Sequence, residues 1–194
     1  MDMRASIDNQ LSPVLRAAHF AAQKHRMQRR HDVDATPYIN HPISLAVLLA
    51  NEAKIDDPVV LCAALLHDTV EDTETTFEEI AATFGEEVAG VVREVTDDKS
   101  LDKVERKRLQ IEHATGISRR AKLVKLADKI CNLRDIEGAP PVGWSVERRD
   151  EYVAWAIQVV AGLRGVHPGL ERIFDDIVRR WSESVPEFWA MWRP

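Results

Sequence analysis

The eight residues from Val59 to Leu66 carry no polar side chain, and four ionisable residues follow within the next six positions. A segment that is apolar on every side has to be enclosed by the rest of the protein. A run of this length is compatible with a buried strand or a buried helix. Asp57-Pro58 before it, a cap residue followed by a proline, and its Ala and Leu content favour a helix. We therefore predict a central buried helix.

The rest of the chain is also typical of helices, without strand alternation or an internal repeat. The predicted helices cover residues 15–28, a segment opening at His41-Pro42, the segment after Asp57, a Thr76-capped helix closed by Gly85, and residues 86–95, 101–113, 118–136, 145–163 and 170–181. We predict an all-α helical bundle, a single domain over residues 1–194, with its core at about 13–165 and a C-terminal helix and tail at 166–194. The tail carries Trp189 and Trp192, which we expect to pack onto the domain or onto a partner subunit in a homo-oligomer.

The composition and net charge of the chain narrow the classes of function that it can have. With 45% hydrophobic residues among 194, the chain can bury a single core without stabilising disulfides or structural metal ions. Its net charge of −6 argues against a general nucleic-acid binder, which would show a basic excess. An anionic small molecule is still compatible with this charge, because a cleft can be locally positive on an acidic protein.

Cellular location is predicted from the cysteines and the apolar segments. Cys62 and Cys131 stand among apolar residues and outside any CxxC pair, so we interpret them as buried, reduced thiols. The N-terminus lacks the apolar core of a signal peptide, and the longest apolar run, 58–66, is too short to span a bilayer. We expect a soluble, cytoplasmic protein without a membrane partner.

The ionisable residues after the apolar run are His67, Asp68, Glu71 and Asp72. If the helix continued through them, all four would share one broad face. Burying three carboxylates together is costly unless a cation compensates their charge. A divalent metal ion would supply that charge, whereas a solvated helix end is the ordinary alternative.

Two more segments carry candidate ligands. His41 stands at the start of an apolar helix, and Asp128 lies in a helix where Lys122, Lys125 and Lys129 form a stripe that we assign to solvent. Asp128 then faces the apolar side and needs a partner, for which a salt bridge is the ordinary candidate. Two histidines and two aspartates without sulfur suit Mn²⁺, with Fe²⁺, Co²⁺ or Zn²⁺ as alternatives.

Three motifs in this order resemble the hydrolase domain of RelA/SpoT proteins, and most closely the small alarmone hydrolases of the metazoan SpoT-homologue type. The motifs are Tyr-Ile-Asn-His-Pro at 38–42, His-Asp-Thr-Val-Glu-Asp at 67–72 and Lys-Leu-Ala-Asp-Lys-Ile-Cys-Asn-Leu-Arg at 125–134, with supporting stretches at 95–99 and 105–110. The similarity covers roughly residues 17–165. It implies the HD fold, a metal-dependent helical bundle.

The resemblance also implies roles for six of these residues. By similarity, one Mn²⁺ ion would be held by His41, His67, Asp68 and Asp128. Glu71 and Asp72 would be the catalytic acidic pair, although helix capping or support of the histidines is an alternative for both.

A substrate with phosphates at the 5′ and 3′ positions of guanosine needs cations around it. In the family an arginine packs against the guanine, and Arg30 matches that arginine. The next residue is usually lysine in the family, but here it is His31. We therefore expect a phosphate contact at this position to be weaker or pH-dependent. The further substrate-binding positions that match are Lys103, Asn132, Arg148 and Tyr152. A solvated surface is the alternative for each single cation.

The activity implied is hydrolysis of ppGpp or pppGpp at the 3′ position to GDP or GTP plus pyrophosphate. The synthetase half of the long relatives has no room in 194 residues, so we expect degradation only. The alternatives are removal of the 2′-phosphate of NADPH at the same metal, and a general HD nucleotidase or cyclic-nucleotide phosphodiesterase. A non-catalytic alarmone sensor is disfavoured because all six metal and acidic positions are present.

Overall fold

The computed structural model describes the backbone of residues 3–185 and the side chains of residues 11–185. Ten α-helices occur in this range: α1 (Met3–Lys24), α2 (Asn40–Val47), α3 (Pro58–Leu66), α4 (Thr69–Asp72), α5 (Phe77–Phe84), α6 (Glu86–Val95), α7 (Lys103–His113), α8 (Arg119–Gly138), α9 (Val146–Ala161) and α10 (Pro168–Ser184). A π-helical turn, Leu48–Glu52, continues α2. No strand is present among these residues, and the predicted all-α fold is confirmed.

Helix α3 is the buried helix that the apolar run predicts. It starts at Pro58, and the side chain of Asp57 accepts a hydrogen bond from the Val59 N–H at 3.0 Å. It packs against α1, α2, α6 and α8, and Val60, Ala63 and Leu66 are fully buried. Neighbouring helices thus enclose it on several sides, as an element apolar all round requires.

Helix α8 is a second central helix. Ser118 caps it by accepting from the Ala121 N–H at 3.2 Å. Because α2, α3, α6, α9 and α10 all pack against it, residues around its whole circumference are buried. These include Lys125 and Lys129, so the assignment of both lysines to solvent is wrong. Only Lys122 of the three remains partly exposed.

The predicted cap residues agree with the structure more closely than the predicted helix ends do. Thr76 and Ser145 cap α5 and α9 with their hydroxyl groups, as expected. Helix α1 ends at Lys24 rather than at residue 28, and α7 begins at Lys103 rather than at residue 101, because Asp102 accepts from two backbone N–H groups of its first turn. Helix ends are set by such caps rather than by the apolar pattern alone.

The last helix packs on the bundle. Leu170, Phe174 and Ile177 of α10 are buried against it, and Trp181 donates its indole N–H to Asp150 at 2.8 Å. The tryptophans predicted to pack from the tail, Trp189 and Trp192, lie outside the described residues. Within the described part of the chain, none of the helices combines the length and the apolar character needed to cross a bilayer.

Candidate metal centre and substrate cleft

The polypeptide turns where the ionisable residues begin. Helix α3 ends at Leu66, and His67 and Asp68 form a turn before the short α4. The condition of one helix continuing through these residues is therefore not met. Side chains take over the last carbonyl groups of α3: the Thr69 hydroxyl donates to Leu66 O at 2.6 Å, and His67 Nδ1 contacts Ala64 O at 2.8 Å. Such local side-chain bonds compete with the helical ladder and end it.

The four predicted ligands lie together in space. Side-chain nitrogen or oxygen atoms of His41, His67 and Asp128 all lie within 4.8 Å of one another. His41 Nε2 is 3.2 Å and His67 Nε2 is 4.0 Å from Asp128 Oδ1. Asp68 Oδ2 lies 2.9 Å from His67 Nε2. The cluster therefore joins α2, the turn after α3, and α8 in a group that could hold a divalent metal ion.

The orientation of His67 fits a metal. Its Nδ1 donates to a backbone carbonyl, so Nε2 is the nitrogen that can offer a lone pair to a metal once its own proton is lost. That Nε2 is buried and has no hydrogen-bond partner, since the nearby Asp68 oxygen is at ion-pair distance but is not aligned as a hydrogen bond. Metal-ligating histidines are commonly fixed in this way through the opposite nitrogen. The donor set therefore fits a divalent cation.

The cluster attracts positive charge. Burial lowers the pKa of His67, but the adjacent Asp68 and Asp128 carboxylates more than reverse this and raise it to about 9. Burial alone would raise the pKa of Asp128, yet Lys129 and the two histidines hold it well below its usual range. The negative potential that favours a proton on His67 favours a divalent cation at the same place.

Two side chains that the sequence reasoning did not place here hold the ligand carboxylates. The ammonium group of Lys129 lies 3.0 Å from Asp128 Oδ2, and the hydroxyl of Tyr38 donates to Asp68 Oδ2 at 2.5 Å. Asn132 donates to Asp128 Oδ1 at 2.6 Å. Tyr38 is part of the first motif and Lys129 of the third, so the motif positions were the available signal.

The proposed acidic pair lies beside the cluster. Glu71 Oε2 accepts from the Asp97 N–H at 3.1 Å, and Lys99 and Arg106 lie within 3.8 Å of its Oε1. Burial raises the pKa of Glu71, although the Asp97 hydrogen bond opposes this. Asp72 accepts from the Gln28 amide at 3.0 Å and from Lys99. Both carboxylates are only partly exposed.

Three adjoining cavities form one cleft around these groups. An inner cavity of about 170 Å³ is lined by the cluster and Glu71. An outer cavity of about 460 Å³ shares Arg30, Tyr38, His41 and Asn132 with it. A lateral cavity of about 280 Å³ carries four cationic side chains, Lys103, Arg106, Lys107 and Arg148. The lateral cavity is thus locally basic, although the chain is acidic.

The predicted substrate contacts are divided among these cavities. Arg30 and Asn132 line the inner and outer cavities, and His31 lines the outer one. Lys103 and Arg148 line the lateral cavity, and only Tyr152 of this set borders both the outer and the lateral cavity. The structure therefore brings all six residues to one cleft, but not to one point.

The family profile described as HD domain matches residues 17–153. The chain belongs to the HD domain family. The matched span of the HD domain contains the four candidate ligands and both proposed acidic residues. The all-α HD fold expected from the resemblance is confirmed.

Relatives of this HD-domain chain are closely similar over most of its length. It is 59% identical over 162 residues to the guanosine-3′,5′-bis(diphosphate) 3′-pyrophosphohydrolase MESH1 of Xenopus tropicalis. These aligned residues cover 84% of this chain and 90% of the Xenopus protein. The Homo sapiens protein of that name is 55% identical over 177 residues, 91% of this chain and 99% of that one. A solved structure of a metazoan orthologue of SpoT that hydrolyses ppGpp matches with a TM-score of 0.85 and 54% identity, covering 87% of this chain and 95% of that chain. The resemblance to the small SpoT-type hydrolases is confirmed.

Proposed function

We propose that this protein is a guanosine-3′,5′-bis(diphosphate) 3′-pyrophosphohydrolase. It cleaves the 3′ ester of ppGpp or pppGpp with water and yields GDP or GTP plus pyrophosphate. One observation carries the proposal: His41, His67 and Asp128 converge beside Glu71, next to a basic cavity, in a chain 59% identical to a protein of that name.

The metal of the proposed reaction is Mn²⁺, held by His41, His67, Asp68 and Asp128. Support comes from a donor set of nitrogen and oxygen without sulfur, which also leaves Fe²⁺, Co²⁺ and Zn²⁺ as alternatives. When bound, such an ion supplies Lewis acidity toward a phosphoryl oxygen and toward water. Tyr38, Asn132 and Lys129 keep the ligand carboxylates in place.

Glu71 is the proposed general base. Hydrolysis forms a bond from a water oxygen to the phosphorus on the 3′ oxygen and breaks the bond from that phosphorus to the 3′ oxygen. The water loses a proton, and the departing 3′ oxygen gains one. Glu71 suits the first transfer because burial raises its pKa toward neutral pH, where a base works most effectively. Asp72, fixed by Gln28 and Lys99, orients the water.

The cationic residues hold the phosphates. Lys103 and Arg148 of the lateral cavity, together with Lys107, face the strongly negative groups of the substrate. Tyr152 lies between that cavity and the outer one, where Arg30, His31 and Asn132 contact the nucleoside. We also propose that the protein acts on free nucleotide in the cytoplasm, which its two buried free thiols favour.

Pyrophosphate release from ppGpp with Mn²⁺ tests the function, with NADPH and a cyclic nucleotide as parallel substrates. We expect turnover of ppGpp that a chelator abolishes and Mn²⁺ restores. His67→Ala should abolish both turnover and Mn²⁺ binding, whereas His19→Ala, on the exposed face of α1, should change neither. Preferential release of phosphate from NADPH would replace the proposed substrate, and turnover that survives chelation would exclude the proposed metal chemistry.

A further inference from the structure

The outer cavity has walls suited to a flat base. Aromatic rings of Tyr38, Trp144 and Tyr152 line it together with the apolar Ile136 and Pro141. The lateral cavity, in contrast, is dominated by cations. Because a nucleobase binds against apolar and aromatic surfaces and phosphates bind cations, the base belongs in the outer cavity.

Three carboxylates line the outer cavity: Asp32, Asp72 and Asp135. Asp32 already accepts hydrogen bonds from the backbone N–H and the hydroxyl of Thr36, at 2.9 and 2.5 Å. Asp72 is occupied by Gln28 and Lys99. Asp135 is different, because its Oδ1 has no hydrogen-bond partner among the described residues and 47% of its side chain is exposed.

Asp135 is also held in a fixed orientation. It lies on α8 three residues beyond Asn132, so both side chains project to the same side of the helix. The Arg30 guanidinium donates to its Oδ2 at 2.5 Å and lies 5.8 Å from the centre of the Tyr38 ring. This ion pair compensates the charge of Asp135 and holds its carboxylate at the cavity wall, while Oδ2 retains a second lone pair.

We propose that Asp135 reads the base and selects guanine. This inference rests on the proposed function and adds a specificity-determining residue to it. Guanine presents two donors side by side, the N1–H and the 2-amino group, and the carboxylate of Asp135 accepts from both. Adenine presents an acceptor at N1, and xanthine a carbonyl oxygen in place of the 2-amino group, so each base would set an acceptor against an oxygen of Asp135 and is disfavoured.

The test compares ppGpp with the 3′,5′-bis(diphosphate) of xanthosine on the wild-type protein and on Asp135→Asn. The asparagine keeps the shape but replaces one acceptor by a donor amide, which matches the xanthine carbonyl oxygen. We expect kcat/KM for ppGpp to fall by about 10- to 100-fold, the loss typical of a hydrogen bond to a charged group, and kcat/KM for the xanthine substrate to rise. A gain of activity cannot result from misfolding.

Glu137→Gln is the matched control, because it removes a similar carboxylate–guanidinium pair with Arg180 from α8 outside the cavity. It should leave the base preference unchanged. If Asp135 acts only by positioning Arg30, Asp135→Asn will reduce both substrates by the same factor, and that result would overturn the inference. Failure of the wild-type protein to turn over ppGpp would instead refute the proposed function itself.

Discussion

The ammonium group of Lys129 lies 3.0 Å from the Asp128 carboxylate and 4.3 Å from the centre of the Trp155 ring. Only 4% of the lysine side chain is exposed. Burial lowers the pKa of Lys129, but Asp128 more than compensates, so the pKa lies above its usual value and the group is charged. A proposed metal ligand is thus already paired with a buried cation before any metal binds.

Lys129→Met should destabilise the metal-free protein by about 3 kcal/mol or more, because breaking a buried ion pair leaves the remaining charge uncompensated. Methionine keeps much of the side-chain volume, so the loss reports charge rather than packing. A divalent ion can replace the missing cation, so added Mn²⁺ should raise the melting temperature more in the variant than in the wild-type protein. Thermal unfolding with chelator and with Mn²⁺ measures both effects.

Lys122→Met is the control for this prediction, since Lys122 lies on the same helix but is partly exposed. Its stability should stay within about 0.5 kcal/mol of the wild-type value. A metal-free Lys129→Met protein as stable as the control would show that the pair contributes nothing.

Glu71→Gln tests the proposed base. Glutamine can still accept the Asp97 N–H, but it cannot take a proton, so kcat should fall by about 10² to 10⁴ while KM and Mn²⁺ affinity stay near the wild-type values. Steady-state kinetics and a metal titration measure the three quantities. Glu74→Gln, an exposed neighbour, serves as the control. A kcat within a factor of two of wild type would remove Glu71 from the mechanism.

The same substitution has a predicted effect on stability. Burial raises the pKa of Glu71 above its ordinary value of 4.5, so the folded protein holds this proton to higher pH than the unfolded chain. The free energy of unfolding therefore contains a contribution from this proton that is fully present below pH 4.5. That contribution is lost as the pH rises through the pKa of Glu71 in the folded protein. In chelator, Glu71→Gln should therefore gain stability relative to wild type as the pH rises from 4.5 through the folded pKa. Denaturant unfolding that gives a constant difference across this range would contradict the raised pKa.

The two central helices show where sequence reasoning succeeds and where it fails. Residues 59–66 are apolar on every side, so their burial could be predicted without any partner being known. Helix α8 carries lysines at helical spacing, which predicts an exposed stripe, yet Lys125 and Lys129 are buried. Tertiary packing brings Asp97 to Lys125, whereas Asp128 is the immediate neighbour of Lys129, and it is the helices packed around α8 that bury both lysines.

The candidate site shows the same division. The motifs predicted that His41, His67, Asp68 and Asp128 hold one ion; the structure brings ligand atoms of His41, His67 and Asp128 within 4.8 Å of one another, with Asp68 beside His67. The turn at His67 was not predictable from the apolar pattern, because it depends on hydrogen bonds from His67 and Thr69 to carbonyl groups of α3. The sequence shows which ionisable side chains are present, whereas the orientation of each side chain depends on such local hydrogen bonds.

Two glycines should respond in opposite directions to alanine. A Cβ added at Gly162 would lie 2.7 Å from Ala114 Cβ and 3.2 Å from Thr115 N, so Gly162→Ala should destabilise the protein by about 1–3 kcal/mol. Gly90, in the middle of α6, has nothing within 4 Å of such an atom, so Gly90→Ala should stabilise it by about 0.5–1 kcal/mol. Urea unfolding measures both values. A neutral Gly162→Ala would show that α7 and α9 can separate without loss.

His31 stands at a position where the family resemblance predicts lysine, on the exposed rim of the outer cavity. Its backbone oxygen accepts from the Val142 N–H at 2.7 Å, which a substitution of the side chain leaves intact. Lysine would place a permanent positive charge on this rim, where it would attract the highly negative substrate. We expect His31→Lys to lower KM for ppGpp by about two- to fivefold, the size of an exposed charge interaction, with kcat nearly unchanged. His19→Lys, which adds the same charge on α1 away from the cleft, should not change KM; equal effects of the two variants would mean that net charge, and not a contact at position 31, attracts the substrate.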